Sequence, residues 1–299
     1  VEHPSSSIYC GGGQKHFFEE KMIKLEMQNV TLAYGPKVVV KDINFQMMPG
    51  EMVGLVGPNG CGKSTIIKAL SRVIPPHSGR ILLNGKDISR ISRKDLACAL
   101  GVVPQMSLLP SVFTAFEIVL MGRNPHLGLF QYEGPRDMAI TWQAMERAST
   151  QHLAHRRINE LSGGEIQGIV IARVLAQETE AILLDEPTSN LDIGRQIEIL
   201  DLIKSLCREN NMTVVAALHD LNLASQYCDQ LMLINNGRIH AEGTPAMVIN
   251  PENIEEVYGG GSYVHTHPLS GLPAVLPHAG NSRHTKPQDV IEGDAVQEL

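Results

Sequence analysis

The stretch MVGLVGPNGCGKSTIIKAL, Met52 to Leu70, decides the fold. It opens on five largely apolar residues, passes through a glycine-rich turn and ends in a helix-like apolar pattern. Within it Gly57, Gly62, Lys63 and Ser64 match the spacing G-x-x-x-x-G-K-[ST]. A strand, a loop and a helix N-terminus in that order make a cradle for phosphate. The loop of Gly57, Pro58, Asn59, Gly60, Cys61 and Gly62 can turn backbone N–H groups inward around the anion. Lys63 then reaches the β and γ phosphates, Ser64 offers its hydroxyl to Mg²⁺, and Thr65 bonds phosphate oxygens.

Outward from this loop, the short runs LGVV (Leu100–Val103), AILLD (Ala181–Asp185) and TVVAAL (Thr213–Leu218) alternate with helical patterns. Such alternation predicts an α/β fold, a parallel sheet with helices on its faces. Upstream, IKLEMQNVTLAYG and INFQM alternate apolar and polar residues, the mark of half-buried antiparallel strands. Asn236-Gly237, between two apolar stretches, predicts a tight hairpin. Residues from about 107 to 160 hold no comparable strand run and read as a helical insertion, broken at GRNPHLG (Gly122–Gly128). Residues 1–21 read as a disordered arm, 22–258 as the compact domain, and 259–299 as an irregular extension rich in Gly, Pro and His. Two histidines at i, i+2 in YVHTHPLSG hold one ion only with other ligands, so a solvated tail is expected there.

The bulk numbers exclude several classes. The 299 residues are 43% hydrophobic and 19% charged, a globular balance, and the net charge of −7 argues against nucleic acid as the main partner, while leaving room for a local basic patch. Cys10, Cys61, Cys98, Cys207 and Cys228 are odd in number and never at C-x-x-C spacing, which reads as free thiols in a reducing compartment. No apolar run reaches the roughly 18–20 residues of a membrane span, and no signal-peptide pattern is visible. Work at a membrane would require docking on another protein.

Two further motifs carry chemistry. AILLDEP ends a strand in Asp185 and Glu186. At the C-terminal end of a parallel strand these acids face the ligand crevice. Asp185 suits the Mg²⁺ side and Glu186 the water side, as general base. LSGGEIQGIVIAR, Leu161 to Arg173, is a second glycine loop before a helix. Ser162 and Glu165 form a capping box. That leaves Gly163 and Gly164 unexplained, because glycine in a first helical turn costs up to about 1 kcal/mol relative to alanine. Two bare positions at a helix start admit a phosphate.

The order GPNGCGKST, VVPQ, LSGGE, ILLDEP, SNLD, ALHD resembles the nucleotide-binding subunit of an ABC transporter over about Ile23–Tyr258. The resemblance implies an ABC ATPase: a P-loop NTPase core with an antiparallel β subdomain and a helical insertion, binding ATP and Mg²⁺. It implies that Tyr34 stacks on adenine. Gln105 would touch Mg²⁺ and the attacking water, and His219 the γ-phosphate. Asp192 would sit in a loop crossing between subunits. Ser162, Gly163 and Gly164 would address ATP held by a second copy, in a homodimer with two shared sites. The family's cycle drives a two-copy membrane permease docked on the helical insertion, placing the chain peripherally at the cytoplasmic face of the cell membrane. VLMGRNPHLGLF, HDLNLASQYCDQLMLINNGRIHAEGTP and VYG resemble importers for ferric siderophores, haem and vitamin B12, which also use a solute-binding protein. The sequence departs from the family at Gly168, usually Arg, and at Asn190, usually small and apolar; the first removes a basic group near the second glycine loop's helix. A soluble ABC ATPase of DNA repair or translation is the alternative. It fits poorly, because there is one cassette and no long heptad run.

Overall fold

The computed structural model describes residues 23–105, 109–189 and 191–277. The arm expected over residues 1–21, the departure at Asn190, and the tail histidines His278 and His284 lie outside the described residues.

In chain order, β1 (Leu25–Tyr34) and β2 (Lys37–Met47) precede β3 (Met52–Val56) and α1 (Lys63–Leu70). Then come β4 (Ser78–Leu83), β5 (Lys86–Asp87), α2 (Arg93–Ala99) and β6 (Leu100–Val103). The helical region holds α3 (Ala115–Leu120), α4 (Pro135–Arg147) and α5 (Gly163–Ala176). It is followed by β7 (Ala181–Asp185), α6 (Ile193–Asn210), β8 (Thr213–Ala217) and α7 (Leu221–Tyr227). The chain closes with β9 (Gln230–Asn235), β10 (Arg238–Gly243), α8 (Pro245–Val248), α9 (Pro251–Tyr258), β11 (Ser262–Thr266) and β12 (Pro273–Pro277).

A six-stranded sheet runs β10-β9-β3-β8-β7-β6, parallel except for the edge strand β10. Every residue of β3, β7 and β8 is buried. Strands covered on both faces read as near-continuous apolar runs, which is why these segments lack alternation. A second, antiparallel sheet runs β2-β1-β4-β5. Its inner residues Leu25, Met27 and Ile43 meet Ile66 and Leu70 of α1 and Leu55 of β3 in one core. On the other face of the parallel sheet, Val56, Leu184 and Val214 pack with Val170 and Val174 of α5 and Leu200 and Ile203 of α6. Burying each such side chain contributes about 1.5–3 kcal/mol. Ile169 of α5 turns instead to Ile118 and Met145, the core of the helical region. Thus α5 is buried on two sides and fastens that region to the sheet.

Asn236 and Gly237 have φ of 48° and 73°, and Asn235 pairs with Arg238 around them. That is the primed two-residue hairpin the dipeptide predicts. A Cβ at Gly237 would lie 2.2 Å from the Val39 carbonyl oxygen, and Lys41 N donates to Gly237 O at 2.8 Å. The hairpin tip therefore pins β2 to the parallel sheet. The GRNPHLG break is a short 3₁₀ segment, Met121–His126, anchored by Arg123. Its buried guanidinium donates to Asp137 Oδ1 at 3.0 Å, Ala176 O at 2.7 Å and Glu178 Oε2 at 2.8 Å.

Within the extension expected to be irregular over residues 259–299, the described part up to residue 277 departs from that expectation. β11 and β12 form an antiparallel hairpin, and Val264 and Val275 pack against the second core. Its Gly- and Pro-rich turn masked two short strands whose apolar residues are too few to show a period. His265 lies on β11, and His267 Nδ1 accepts from Leu269 N and Ser270 N, both at 3.3 Å. Among the described residues no three His, Cys, Asp or Glu side chains cluster to hold a metal. None of the described helices is long and apolar enough to cross a membrane.

Candidate functional site

The phosphate loop leaves β3 at Gly57, whose φ of +145° and whose approach to Ile234 O, 2.2 Å from a built Cβ, admit only glycine. The loop ends at Gly62, and Lys63 opens α1. Lys63 is buried, and its Nζ donates to Gly57 O at 2.7 Å and Pro58 O at 3.1 Å. Cys61 Sγ lies 3.9 Å away, and burial pushes its thiol up against the opposing pull of Lys63. The loop is thus closed by its own amine, with Asn59 and Gly60 exposed at its mouth.

Asp185 ends β7 buried, where Ser64 Oγ donates to its Oδ1 at 2.7 Å. Burial raises the Asp185 carboxyl above its ordinary range; the Ser64 hydrogen bond opposes this, the Glu186 charge adds to it, and Lys68 and Lys63 oppose it. A hydroxyl and a carboxylate held together are hard oxygen donors of the kind Mg²⁺ takes, and they lie beside the phosphate loop. The donor set fits that ion.

Glu186 is the hub of the site. Gln105 Nε2 donates to its Oε2 at 2.6 Å, and His219 Nε2 meets its Oε1. Ser189 Oγ bonds Glu186 O at 2.7 Å and approaches its Oε2 at 3.3 Å. Glu186 also has φ of +53°, unusual for a residue with a side chain and worth about 1–3 kcal/mol of strain. The surrounding structure holds it there: Glu186 N donates to Ala217 O at 3.1 Å, carrying the β7–β8 ladder one residue further. Two segments distant in sequence, with Ser189 three residues on, therefore aim polar groups at one carboxylate, which can hold and orient a water.

Tyr34, Asn59, Gly60, Gly62, Lys63, Ser64, Thr65, Gln105, Glu186 and His219 line one cleft of about 640 Å³. Lys37 and Val39 of β2 complete its wall; no motif in the sequence singles them out. Ser189 was also missed, although it lies two residues beyond the DEP motif. Tyr258, at the end of α9, sits beside the loop; burial pushes its phenol up to about 12, helped by Cys61 and opposed by the Gly57 amide.

Ser162, Gly163 and Gly164 do not line this cleft. They start α5, where the capping box forms as expected: Ser162 Oγ accepts from Glu165 N at 3.4 Å, and Glu165 Oε2 accepts from Ser162 N at 2.7 Å. Hydrogen bonds from Ser162 N and from Ser162 Oγ, the latter at 2.8 Å, hold the half-buried Glu165 carboxyl below the ordinary range. A Cβ built on Gly163 meets nothing within 4 Å, and one on Gly164 meets Leu191 at an ordinary 3.5 Å. Nothing among the described residues requires glycine at either position. Asp192 caps α6, accepting from Arg195 N at 2.9 Å. At Gly168, where the sequence lacks the family's usual Arg, Arg195 reaches over from α6, its Nη2 2.6 Å from a built Cβ. Gly168 leaves the room that this guanidinium occupies.

Residues 40–189 match the family described as ABC transporter. The chain is 38% identical to the ferric enterobactin transport ATP-binding protein of Escherichia coli (strain K12), over 86% of this chain and 95% of that protein. Among solved structures it resembles a metal-chelate type ABC transporter in an inward-facing conformation, with TM-score 0.75, 30% identity, and coverage of 86% of this chain and 98% of that one. It also resembles a dimeric ATP-binding cassette in a post-hydrolysis state bound to ADP and Pi, with TM-score 0.66, 27% identity, and coverage of 74% and 98%.

Proposed function

The chain belongs to the ABC transporter family, and on that premise we propose that it is the ATP-hydrolysing subunit of an importer, working as a two-fold dimer beneath a separate two-copy membrane permease. The convergence of Gln105, His219 and Ser189 on Glu186, beside Lys63 and the Ser64–Asp185 pair, carries this reading.

Each residue takes a role from its place. Tyr34 offers a ring to adenine at the open end of the cleft. Lys63 and the loop N–H groups bind the β and γ phosphates. Ser64, Asp185 and Gln105 would hold Mg²⁺, which when bound offsets phosphate charge. Glu186 accepts a proton from the attacking water, and Gln105 and His219 orient both. The bare helix start at Gly163 and Gly164 receives the γ-phosphate of ATP held by the partner copy, which is supported by the open space at Gly163 and the ordinary van der Waals contact at Gly164 among the described residues. ATP closes the dimer by touching both copies; cleavage of the γ-phosphate removes that link and the dimer opens.

The cargo is an iron chelate or cobalamin, delivered to the permease by a solute-binding protein, and the chain sits at the cytoplasmic face of the membrane. Likeness to a ferric enterobactin subunit over nearly its full length supports an iron chelate first. Glu186→Gln should bind ATP, lose about 10²–10⁴-fold in kcat and accumulate as an ATP-bound dimer in size-exclusion chromatography. Rapid turnover by that variant would remove Glu186 as the base. For the cargo, deleting the gene should abolish cellular uptake of one labelled solute among ferric siderophore, haem and cobalamin. Unchanged uptake of all of them would overturn the importer reading.

A further inference from the structure

The hairpin of β11 and β12 stands outside the nucleotide cleft, yet it is bonded to the helix that starts immediately behind His219. Asp220 caps α7, accepting from Asn222 N at 2.7 Å and Leu223 N at 3.1 Å. Asn222 turns its side-chain amide to β12 and pairs with it as a strand would: Nδ2 donates to Val275 O at 3.1 Å, and Val275 N donates to Oδ1 at 2.7 Å. One turn on, Ser225 Oγ donates to Pro273 O at 2.7 Å. Every polar link is to backbone, so it fixes the position of the strand and not merely a flexible side chain.

We propose that this hairpin is a brace for His219, and that Asn222 is the positioning residue through which it acts. The helix it holds has seven residues, too short to be stable on its own. Its first turn sets the direction in which the preceding residue leaves β8, and that residue is the histidine meeting Glu186. Asn222 does not line the nucleotide cleft. It fixes α7, the Asp220 cap fixes the turn, and the turn fixes His219. The proposal rests on the ATPase reading of the site.

The link can be cut from either side without dismantling the hairpin. In an antiparallel pair a residue's N–H and C=O point to the same side. Both groups of Val275 bond Asn222, so they face away from β11, and Val275 stands opposite Val264 without ladder bonds between them. Proline is tolerated at such an outward-facing edge position. Asn222→Ala and Val275→Pro, each in the full chain, should therefore lower kcat by about tenfold or more, since small misplacements of reacting groups are costly. The KM for ATP should change little, and the double variant should be no worse than either single. Hydrogen exchange at the amides of Asn222 and Leu223 should speed up in both variants. Unchanged kcat in Asn222→Ala would overturn the proposal. So would a loss of kcat matched by an equal loss of ATP-binding sites, which marks plain unfolding. Additive losses in the double variant would also overturn it, because the two changes would then break different things. If the unmodified chain hydrolyses no ATP, it is the ATPase reading that fails.

Discussion

Asp185 carries a conflict between its environment and its role. Its carboxyl is buried and raised, yet the reading of the site needs it ionised beside Mg²⁺. For an acid whose folded pKa lies above its unfolded value, the folded state binds more protons in the window between the two. Stability contributed by this group is present below the unfolded pKa and is lost as pH rises through the folded one. Asp185→Asn should therefore flatten the stability-versus-pH curve in the acid range and leave the protein relatively more stable at neutral pH. Urea melts of both proteins across that range would check it; parallel curves would contradict the assignment. The same raised value means that Mg²⁺-dependent nucleotide affinity should weaken, as pH falls, earlier than for an ordinary aspartate.

Among the elements, the start of α5 separates stability from function most cleanly. Ser162→Ala removes the cap and should cost about 1 kcal/mol, read as a lower Tm. Gly163→Ala should do the reverse to stability, raising it by up to about 1 kcal/mol, because the new Cβ meets nothing and helix propensity improves. If the bare backbone receives a partner's phosphate, that more stable variant should nonetheless hydrolyse ATP more slowly. Undiminished turnover in Gly163→Ala would leave only the capping role. The sequence announced α1, α5, β3 and β7 because each carries a local signal: a loop spacing, a capping box, an uninterrupted apolar run. It announced Lys63, Ser64, Glu186 and His219 for the same reason. Lys37 and Val39 were not legible, since what brings them to the cleft is the β9–β10 hairpin tip gripping β2 from some two hundred residues away. Arg195 was invisible for a related reason: its contact with Gly168 is between helices, and no one-dimensional pattern encodes it. The β11–β12 hairpin was lost among Gly and Pro residues that usually signal irregular chain.

At the scale of the whole molecule, the site as proposed is divided between two copies, and that division can be tested by mixing defects. A Lys63→Ala chain lacks one half of each site and a chain with Ser162→Phe lacks the other. Alone, each should be inactive. Mixed in equal amounts, half of the random dimers would be hybrids, each with one intact site and one doubly damaged, so ATPase activity should return to about a quarter of the normal level. A site contained within one chain predicts no recovery at all. The strand order has a consequence of another kind, for the time course of synthesis. Among the described strands β3, which leads into the phosphate loop, pairs with β8 and β9, so residues 52–56 find their partners at 214–217 and 230–233. The ribosome therefore releases the nucleotide loop long before the strands that align it. Until roughly 160 further residues have been made, an apolar strand waits unpaired, and such exposure invites aggregation. Nucleotide binding by stalled nascent chains should appear abruptly, only once β9 has cleared the exit tunnel.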